Sequence, residues 1–377
     1  MLSGTLAQQI AGETTEAIGY NVIITDTEGM VIGSGDTSRV GSFHEASIEV
    51  MRTRESAWHN PEEARALRGV RPGITLPLVI GNEAVGTVGI TGSPRQVRRF
   101  GLVVRRQTEI LLEESALVRS RLMRERALED LVNEVAAFDP ELVEPELVVS
   151  SAAELGFRLL LPRCVLLFDV DGAATGPELL RVLRSVFHQH EDIVARRSAG
   201  RCTILAPVDT RGVRNLESEA RRAIRMAREA LNLHLRVAIS PPADTVEKLR
   251  DCCSDAAEAL WLGARVQPAD SVLRVADLRA QQALAAIGYR VRGRLVEQEL
   301  GGMRSAADWL QLRATVVQWC EGGFNQVAAA KALNIHRNTL LYRLDKIERL
   351  VGRSWRDHRA MLSLYIACLA DQLGPPE

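Results

Sequence analysis

The run FNQVAAAKALNIHRNTLLYRLDKIERL, from Phe324 to Leu350, constrains the fold of this chain more than any other segment. Small residues allow close packing in its first half, which ends at Asn334 and Ile335. In the second half, apolar residues recur at spacings of four, three and three and so share one helical face: Leu340, Leu344, Ile347 and Leu350. The pattern predicts a helix-turn-helix whose second helix enters the major groove of DNA.

The first turn of the second helix carries side chains that can read bases. They are His336, Arg337, Asn338 and Thr339. Arg pairs with a guanine edge, Asn with an adenine edge, and Thr offers a methyl to thymine or a hydroxyl to phosphate. His336 stands where a helix usually starts with Ser, Thr, Asp or Asn, so it either contacts phosphate or precedes the true helix start.

Three further residues lie where they could hold phosphates and set the register: Lys331, Tyr342 and Arg343. The same apolar spacing occurs in any two-helix element of a helical bundle, and the outward polar row favours DNA binding. The formal net charge is only −1, so a local patch rather than a globally basic surface must bind DNA.

At 377 residues the chain is long enough for two or three domains. No apolar run approaches membrane-spanning length, and the N-terminal MLSGTLAQQI lacks the pattern of a signal peptide. We therefore expect a cytoplasmic protein without membrane contact.

The six cysteines do not have the spacing of a metal site. Cys252 and Cys253 are adjacent, whereas a zinc site separates paired ligands by two or more residues. We expect the cysteines to be buried small hydrophobes, and we expect neither a metal nor a cofactor.

Two predicted hairpins dominate the N-terminal part. A helix over residues 4–18 precedes NVIITD and MVIGSGD, which are joined by a turn at Glu28-Gly29. A helix over residues 41–53 then leads to GITLPLVI and AVGTVGITG, joined by Gly81-Asn82. The pattern predicts an antiparallel sheet with helices on one side, a sensor domain over residues 1–94 whose open face or cavity binds a ligand.

Within this domain, glycines and basic residues cluster in two segments. The candidate ligand-binding residues are Ser34, Gly35, Asp36, Arg39, Gly41 and His44 in the first and Arg71, Gly73 and Ile74 in the second. Glycines allow a ligand to approach backbone N–H groups, and arginines pair with carboxylates. The alternative is plain turn chemistry, because GSGD and RPG both form good turns.

One long helix is predicted over residues 95–138. Val103, Ile110 and Leu117 repeat every seven residues, as do Val104, Leu111 and Val118. The alternatives are a solvated helix that packs within one chain and a signalling helix that dimerises. We favour the second, because a helix-turn-helix protein normally reads two half-sites as a homodimer or a higher homo-oligomer.

Residues 150–277 alternate strands and helices. The strands RCVLLFDVD, DIVARR, CTILAP and LRVAIS enclose two predicted helices in the order strand, helix, two strands, helix, strand. This order is typical of a ferredoxin-like α+β domain.

The stretches IGSGDTSRVGSFHEAS and GVRPGITLPLVIGNEAVGTVGITG resemble the sugar-diacid recognition domain of the carbohydrate diacid regulator (CdaR-like) transcription factors. AAAKALNIHRNTLLYRLDKIERLVG is similar to the helix-turn-helix that those regulators share with purine-catabolism (PucR-type) activators. The residues after 150 resemble the nucleotide-cyclase-like (GGDEF-type) domain of this family. Thr75 stands where the resemblance leads us to expect Asn.

The resemblance implies a multidomain α/β and α protein. Its parts are a PAS-like α+β sensor, the long linking helix, a degenerate GGDEF, ferredoxin-like middle domain and an all-α helix-turn-helix domain over residues 305–374. It implies an effector hydroxy-acid such as glucarate, galactarate or glycerate, and promoter DNA of uptake and catabolism genes as the partner of an activator. The ligand-site residues named above carry over to this sensor.

Enzymatic readings have weaker support. Where active cyclases carry Gly-Gly-Asp/Glu-Glu-Phe, this chain has Ser198-Ala199-Gly200-Arg201-Cys202, which offers no acidic metal ligand. Asp169 and Asp171 remain candidate cation ligands, and a spacer or dimer-contact role is favoured for the middle domain. Ser34, Asp36 and His44 could form a hydrolase triad only with a suitable geometry, and no strained nucleophile turn is evident. We expect a regulator, not an enzyme.

Overall fold

A computed structural model describes residues 3–170, 177–198, 200–208 and 215–374. The chain divides into two compact units, Met1–Arg124 and Glu125–Glu377. The boundary falls inside one long helix, and each unit has its own sheet.

The first unit is built around a five-stranded antiparallel sheet in the order β2-β1-β5-β4-β3. Its elements are α1 (Gly4–Ile18), β1 (Val22–Thr25), β2 (Val31–Ser34), α2 (Glu45–Thr53), β3 (Ala57–His59), α3 (Pro61–Arg65), β4 (Gly73–Ile80), β5 (Glu83–Thr91) and the first part of α4 (Pro94–Ala136). The two predicted hairpins are β1–β2 and β4–β5. The short strand β3 was not predicted.

The two faces of this sheet differ. One face is apolar and packs against α1 and α4 through residues of β1, β4 and β5: Val22, Ile24, Ile74, Leu76, Leu78, Val88 and Ile90. Contact with α1 is so close that a Cβ on Gly33 would lie 2.3 Å from the carbonyl of Ala7. The opposite face is covered by α2, which packs on β4 and β5.

Helix α4 has 43 residues, in agreement with the helix predicted over 95–138. Its two heptad rows differ in exposure. Val103, Ile110 and Leu117 are 67%, 37% and 60% exposed. Val104 is buried and Leu111 packs against the core of the first unit, so most of the second row serves that core.

The second unit contains a sheet in the order β10-β9-β6-β8-β7. From α5 to the last strand of this sheet, the second unit contains α5 (Pro145–Glu154), β6 (Arg163–Val170), α6 (Pro177–Val186), β7 (Ile193–Ser198), β8 (Arg201–Pro207), α7 (Leu216–Leu231), β9 (Leu235–Ile239), α8 (Val246–Val266) and β10 (Val272–Arg274). From β6 to β9 the order is the predicted strand, helix, two strands, helix, strand. One face packs on α6 and α7, the other on α8 and the last turns of α4.

The chain then continues as helices. They are α9 (Arg279–Ala286), α10 (Tyr289–Arg304), α11 (Trp309–Glu321), α12 (Gln326–Ala332), α13 (Arg337–Val351) and α14 (His358–Gln372). Leu340, Leu344 and Ile347 are fully buried in one core with residues of α10, α11 and α14, as their helical spacing predicts. Leu350, the fourth residue of the predicted row, is instead 36% exposed near the end of α13.

Five of the six cysteines, all of which are described, are buried, and Cys320 is half-buried. Burial raises the pKa of Cys202 and of Cys368 to about 12, so both stay neutral thiols. In the described ranges no group of His, Cys, Asp and Glu side chains has the arrangement of a metal site.

Candidate effector and DNA-binding sites

The loop after β2 and the segment before β4 meet through an ion pair. Arg71 Nη2 lies 3.2 Å from Asp36 Oδ2. The same carboxylate caps the short 3-10 helix Thr37–Arg39 and accepts hydrogen bonds from the Ser38 hydroxyl at 2.6 Å and the Ser38 amide at 3.3 Å. The Ser38 hydroxyl, more than Arg71, holds the pKa of Asp36 below its usual value. The two predicted segments are therefore adjacent in space.

Arg39 is the most unusual charge of this region. Arg39 is only 7% exposed, and its Nη2 donates to the carbonyl of Gly69 at 2.5 Å. It forms no salt bridge with any residue that the structure describes. Burial first, and then the charge of Arg71, lowers the pKa of Arg39, and the charge of Asp36 opposes them. A buried guanidinium without a salt bridge is costly, and an anionic ligand would match its fork of donors.

The backbone amides of the glycine-rich loop are already used within the protein. Four amides donate as follows: Ser34 to Gln8 Oε1 (3.0 Å), Gly35 to the Val22 carbonyl (3.0 Å), Asp36 to Asn21 Oδ1 (2.6 Å) and Gly41 to the Val31 carbonyl (2.8 Å). The expectation that these amides hold a ligand carboxylate therefore needs correction. In this conformation the loop's amides serve its own fold, so a ligand at this site would have to be bound by side chains.

Strand register shows which residues share the face below α2. Ile23 pairs with Ser34 and Gly89, and Gly89 pairs with Thr75, so these four residues form one row. Directly paired residues of antiparallel strands lie on the same face. The row lies on the side away from α1 and α4, and it is closely packed at Gly89, where a Cβ would lie 2.8 Å from Ile23 Cγ1.

Gly73 and Ile74 both belong to β4 but differ in role. A Cβ on Gly73 would lie 2.0 Å from the Ile90 carbonyl, so close strand packing alone requires this glycine. The Ile74 side chain lies in the apolar core on the α4 face. Its predicted ligand contact can therefore come only from the backbone.

His44 is 3% exposed and precedes α2. Its Nδ1 lies 2.8 Å from the hydroxyl of Ser47. Burial, followed by the charges of Arg39 and His59, lowers the pKa of His44 to about 4. The ring is therefore neutral at pH 7 and acts as a hydrogen-bonding group. No hydrogen bond among the described residues joins it to Ser34, so the hydrolase triad is not assembled.

Sequence reasoning missed two residues of this region. His59, in the unpredicted strand β3, pairs with Gly73, and its charge acts on His44. Asn21 Oδ1 accepts a hydrogen bond from the amide of Asp36. Its Nδ2 is buried and has no hydrogen-bond partner in the described part of the chain. Asn60 caps α3 with its side chain. This capping residue was a sequence signal that the segment containing His59 ends just before it.

The C-terminal motif forms two helices at a tight turn. Asn325 caps α12 by accepting from the amides of Val327 and Ala328. Asn334 adopts the left-handed conformation with φ of 52° in the turn. His336 caps α13, and its Nδ1 accepts from the Asn338 amide at 3.2 Å. The helix thus begins one residue after His336, and an imidazole takes the place of the usual capping oxygen.

The predicted reading residues lie together at the start of α13. His336, Arg337, Asn338 and Thr339 are all exposed, as are Lys331 and Tyr342. Arg337 donates from Nε to Gln326 Oε1 at 2.8 Å, which leaves its terminal nitrogens available. Arg343 is half-buried and donates to Gln311 of α11 at 2.8 Å.

The β7–β8 hairpin has no acidic metal ligand in its described residues. Arg201 instead pairs with Asp169 at 3.1 Å, so this carboxylate already has a cationic partner. Asp171 and Ala199 lie outside the described residues. The local charges of the described part therefore do not favour a bound cation at Asp169.

Family comparisons cover most of the chain. Residues 2–135 match the sugar diacid recognition family, residues 139–261 the GGDEF-like domain, and residues 312–370 the PucR C-terminal helix-turn-helix domain. The carbohydrate diacid regulator of Escherichia coli K12 is 29% identical, with 98% of each chain covered. The chain therefore carries the sugar diacid recognition domain and the PucR-type helix-turn-helix, and it is similar to a carbohydrate diacid regulator over nearly its whole length.

Other relatives of similar length are less similar in sequence. An uncharacterized protein of Bacillus subtilis, YsfB, is 25% identical over 97% of each chain. An uncharacterized protein of Haemophilus influenzae is 24% identical over 97% of this chain and 98% of its own. A solved regulator of polyketide synthase expression from Bifidobacterium adolescentis matches 68% of this chain and 95% of its own at 17% identity, with a TM-score of 0.33, a likeness too distant to support any argument.

These comparisons establish a sugar-diacid regulator with a helix-turn-helix, a GGDEF-like middle region and a mixed α/β N-terminal region. A helix-turn-helix of this family implies DNA binding. Among the described helices, none has the length and apolar character needed to cross a bilayer.

Proposed function

We propose that this protein is a ligand-responsive activator. A small hydroxy-acid or sugar diacid binds the first unit, and the helix-turn-helix binds promoter DNA of genes for uptake and breakdown of that acid in the cytoplasm. Glucarate, galactarate and glycerate are the effectors to test. The observation that carries the proposal is the buried Arg39, which forms no salt bridge with any described residue, although the charge of Asp36 acts on it.

The effector carboxylate docks on Arg39 and competes with Asp36 for Arg71. Arg71 is half-exposed and only 3.2 Å from Asp36, so a ligand can reach it without unfolding the loop. The Ser34 hydroxyl and His44 are further candidate contacts. Gly35, Gly41, Gly73 and Ile74 shape this region through the backbone, and they contribute no side-chain polar group.

The sheet order β2-β1-β5-β4-β3, with α2 and α3 between β2 and β4, supports the PAS-like architecture that we assign to the sensor. We divide the chain into a sensor over 1–94, a signalling helix over 95–138, a degenerate GGDEF-like spacer over 150–277 and a helix-turn-helix domain over 305–374. The ion pair between Arg201 and Asp169 supports a non-catalytic role for the spacer.

A homodimer would form through the exposed face of α4. Val103, Ile110 and Leu117 repeat every seven residues and project outward from the first unit. Such a row is one side of the seam between two supercoiled helices. A second copy of the same helix is the occupant with a matching period, and dimerisation would present two recognition helices to two half-sites.

At the DNA, Arg337 and Asn338 would contact base edges, with His336 and Thr339 beside them. Lys331 and Tyr342 would contact phosphates. Arg343 is tied to Gln311, so it would reach phosphate only by exchanging that hydrogen bond.

A thermal-shift screen of the full chain tests the effector site. Glucarate, galactarate and glycerate are added at millimolar concentration to the wild type and to Arg39→Met. At least one acid should raise the melting temperature of the wild type, because a ligand that binds only the folded state stabilises it. Arg39→Met should lose that rise, whereas Arg52→Met, which removes an exposed arginine of α2 paired with Glu49, should keep it.

Failure of all three acids to shift the wild type would reject the proposed effector class. Equal shifts in Arg39→Met and wild type would instead place the acid elsewhere on the protein.

A further inference from the structure

Four buried side chains form one continuous line of hydrogen bonds beneath the proposed effector site. Thr25 Oγ1 lies 2.8 Å from Thr87 Oγ1, and Thr87 Oγ1 lies 2.7 Å from Ser47 Oγ. Ser47 Oγ lies 2.8 Å from His44 Nδ1. Three of the four residues are fully enclosed and His44 nearly so. The line runs from the central strands β1 and β5 to the start of α2.

The number of hydrogens decides the direction of this line. It has three links, and its three hydroxyls carry one hydrogen each. If His44 Nδ1 is an acceptor, Thr25 donates to Thr87, Thr87 to Ser47 and Ser47 to His44, and every hydrogen is used. If Nδ1 carries a proton, four hydrogens share three links, so one buried donor has no acceptor.

The described residues offer no second acceptor for the extra hydrogen. Within the described residues, the side chains of Thr25, Thr87 and Ser47 make no other hydrogen bonds. A buried donor without an acceptor is costly, so the first arrangement is favoured. A neutral imidazole with Nδ1 as acceptor carries its single proton on Nε2.

We infer that Ser47 is a positioning residue that holds His44 in its Nε2–H tautomer, so that it donates to an acceptor oxygen of the effector. Thr87 and Thr25 extend the buried line, and the count of hydrogens does not require Thr25 for this tautomer. Nε2 has no hydrogen-bond partner in the described part of the protein. This assignment of His44 as a ligand donor rests on the proposed effector site. The tautomer itself does not depend on it.

The chemistry of the partner follows from this assignment. Arg39 and Arg71 offer charged forks that suit a carboxylate, whereas His44 offers one neutral, directed donor. Its low pKa keeps it neutral at pH 7. A hydroxyl or carboxylate oxygen of the acid is the class of group that it would select, in preference to an amine or ammonium group.

Nitrogen-15 NMR of the full chain labelled in histidine tests the tautomer, with the His44 signals assigned by their loss in His44→Asn. At pH 7 without ligand, wild type should show Nε2 protonated and Nδ1 unprotonated. Ser47→Ala removes the donor to Nδ1 and should give a mixture of tautomers. Ser47→Thr keeps the hydroxyl and should restore the wild-type signals. Thr25→Val leaves two hydrogens for two links and should not change them.

Effector affinity is measured on the same proteins with whichever of glycerate, glucarate or galactarate stabilises the wild type. Ser47→Ala should weaken that affinity about tenfold, and Thr25→Val should leave it within about twofold, as expected for loss or retention of one directed hydrogen bond. A wild-type His44 protonated on Nδ1 would overturn the inference even if an acid binds. The expected tautomer with no binding of any of the three acids would support the positioning role and reject the effector site.

Discussion

Arg71 pairs with Asp36 at 3.2 Å and so joins the start of β4 to the loop after β2. The two residues are 35 positions apart in the sequence, and both are about half exposed or less. An anionic effector that binds Arg71 must replace this carboxylate. The ion pair is therefore a built-in competitor of the proposed ligand.

Asp36→Asn should raise the affinity for an acidic effector about two- to fivefold, because an exposed ion pair is worth up to about 1 kcal/mol. Asn keeps the oxygen that caps the turn Thr37–Arg39. Isothermal titration calorimetry with the stabilising acid gives the comparison. Glu55→Gln, at an exposed position of the same unit, controls for the general loss of one negative charge and should change affinity little. A lower affinity in Asp36→Asn would mean that Asp36 orients Arg71 for the ligand.

The first unit should become less stable as the pH falls, because of His44. Its pKa is about 4 in the folded protein and about 6.5 in an unfolded chain, so between these values only the unfolded state takes up the proton. The contribution is therefore present above pH 6.5 and is lost as the pH falls toward 4. It amounts to at most about 3 kcal/mol.

Urea denaturation at pH 7.5 and pH 5 measures this effect, with His44→Asn as the reference that cannot titrate there. The free energy of unfolding should drop more between the two pH values in wild type than in His44→Asn. Equal drops in the two proteins would mean that carboxylates elsewhere account for the whole pH dependence.

Periodicity predicted much of this fold. The seven-residue repeat and the spacing of Leu340, Leu344 and Ile347 identified α4 and α13, because the period of a helix is visible in local sequence. The direction of the Ile74 side chain could not be predicted, since it depends on the register between strands. The use of the Ser34 amide by Gln8, 26 positions earlier, was equally hidden, because no local pattern indicates which distant side chain meets a loop.

The exposed row on α4 should control the oligomeric state. Val103→Glu combined with Ile110→Glu places like charges in the proposed seam, so the double variant should be monomeric where the wild type is dimeric. Sedimentation velocity measures the change. Leu142→Glu changes another highly exposed apolar residue outside this row and should leave the dimer intact. A wild type that is monomeric at micromolar concentration, or a double variant that stays dimeric, would place the contact elsewhere.

Arg337 should account for sequence-specific binding at the promoter. Its loss in Arg337→Ala should weaken binding to the specific site by about 1–3 kcal/mol, the usual value of a bidentate contact with guanine, and should reduce discrimination against unrelated DNA. Arg349 provides a matched control because it is exposed on the same helix but 12 residues further on, which is about 18 Å along the axis. Fluorescence anisotropy at two salt concentrations separates the two roles, since a phosphate contact changes the salt dependence and a base contact changes the sequence preference. If Arg337→Ala weakened specific and unrelated DNA equally, Arg337 would be a phosphate contact, and base reading would then depend on Asn338 and Thr339.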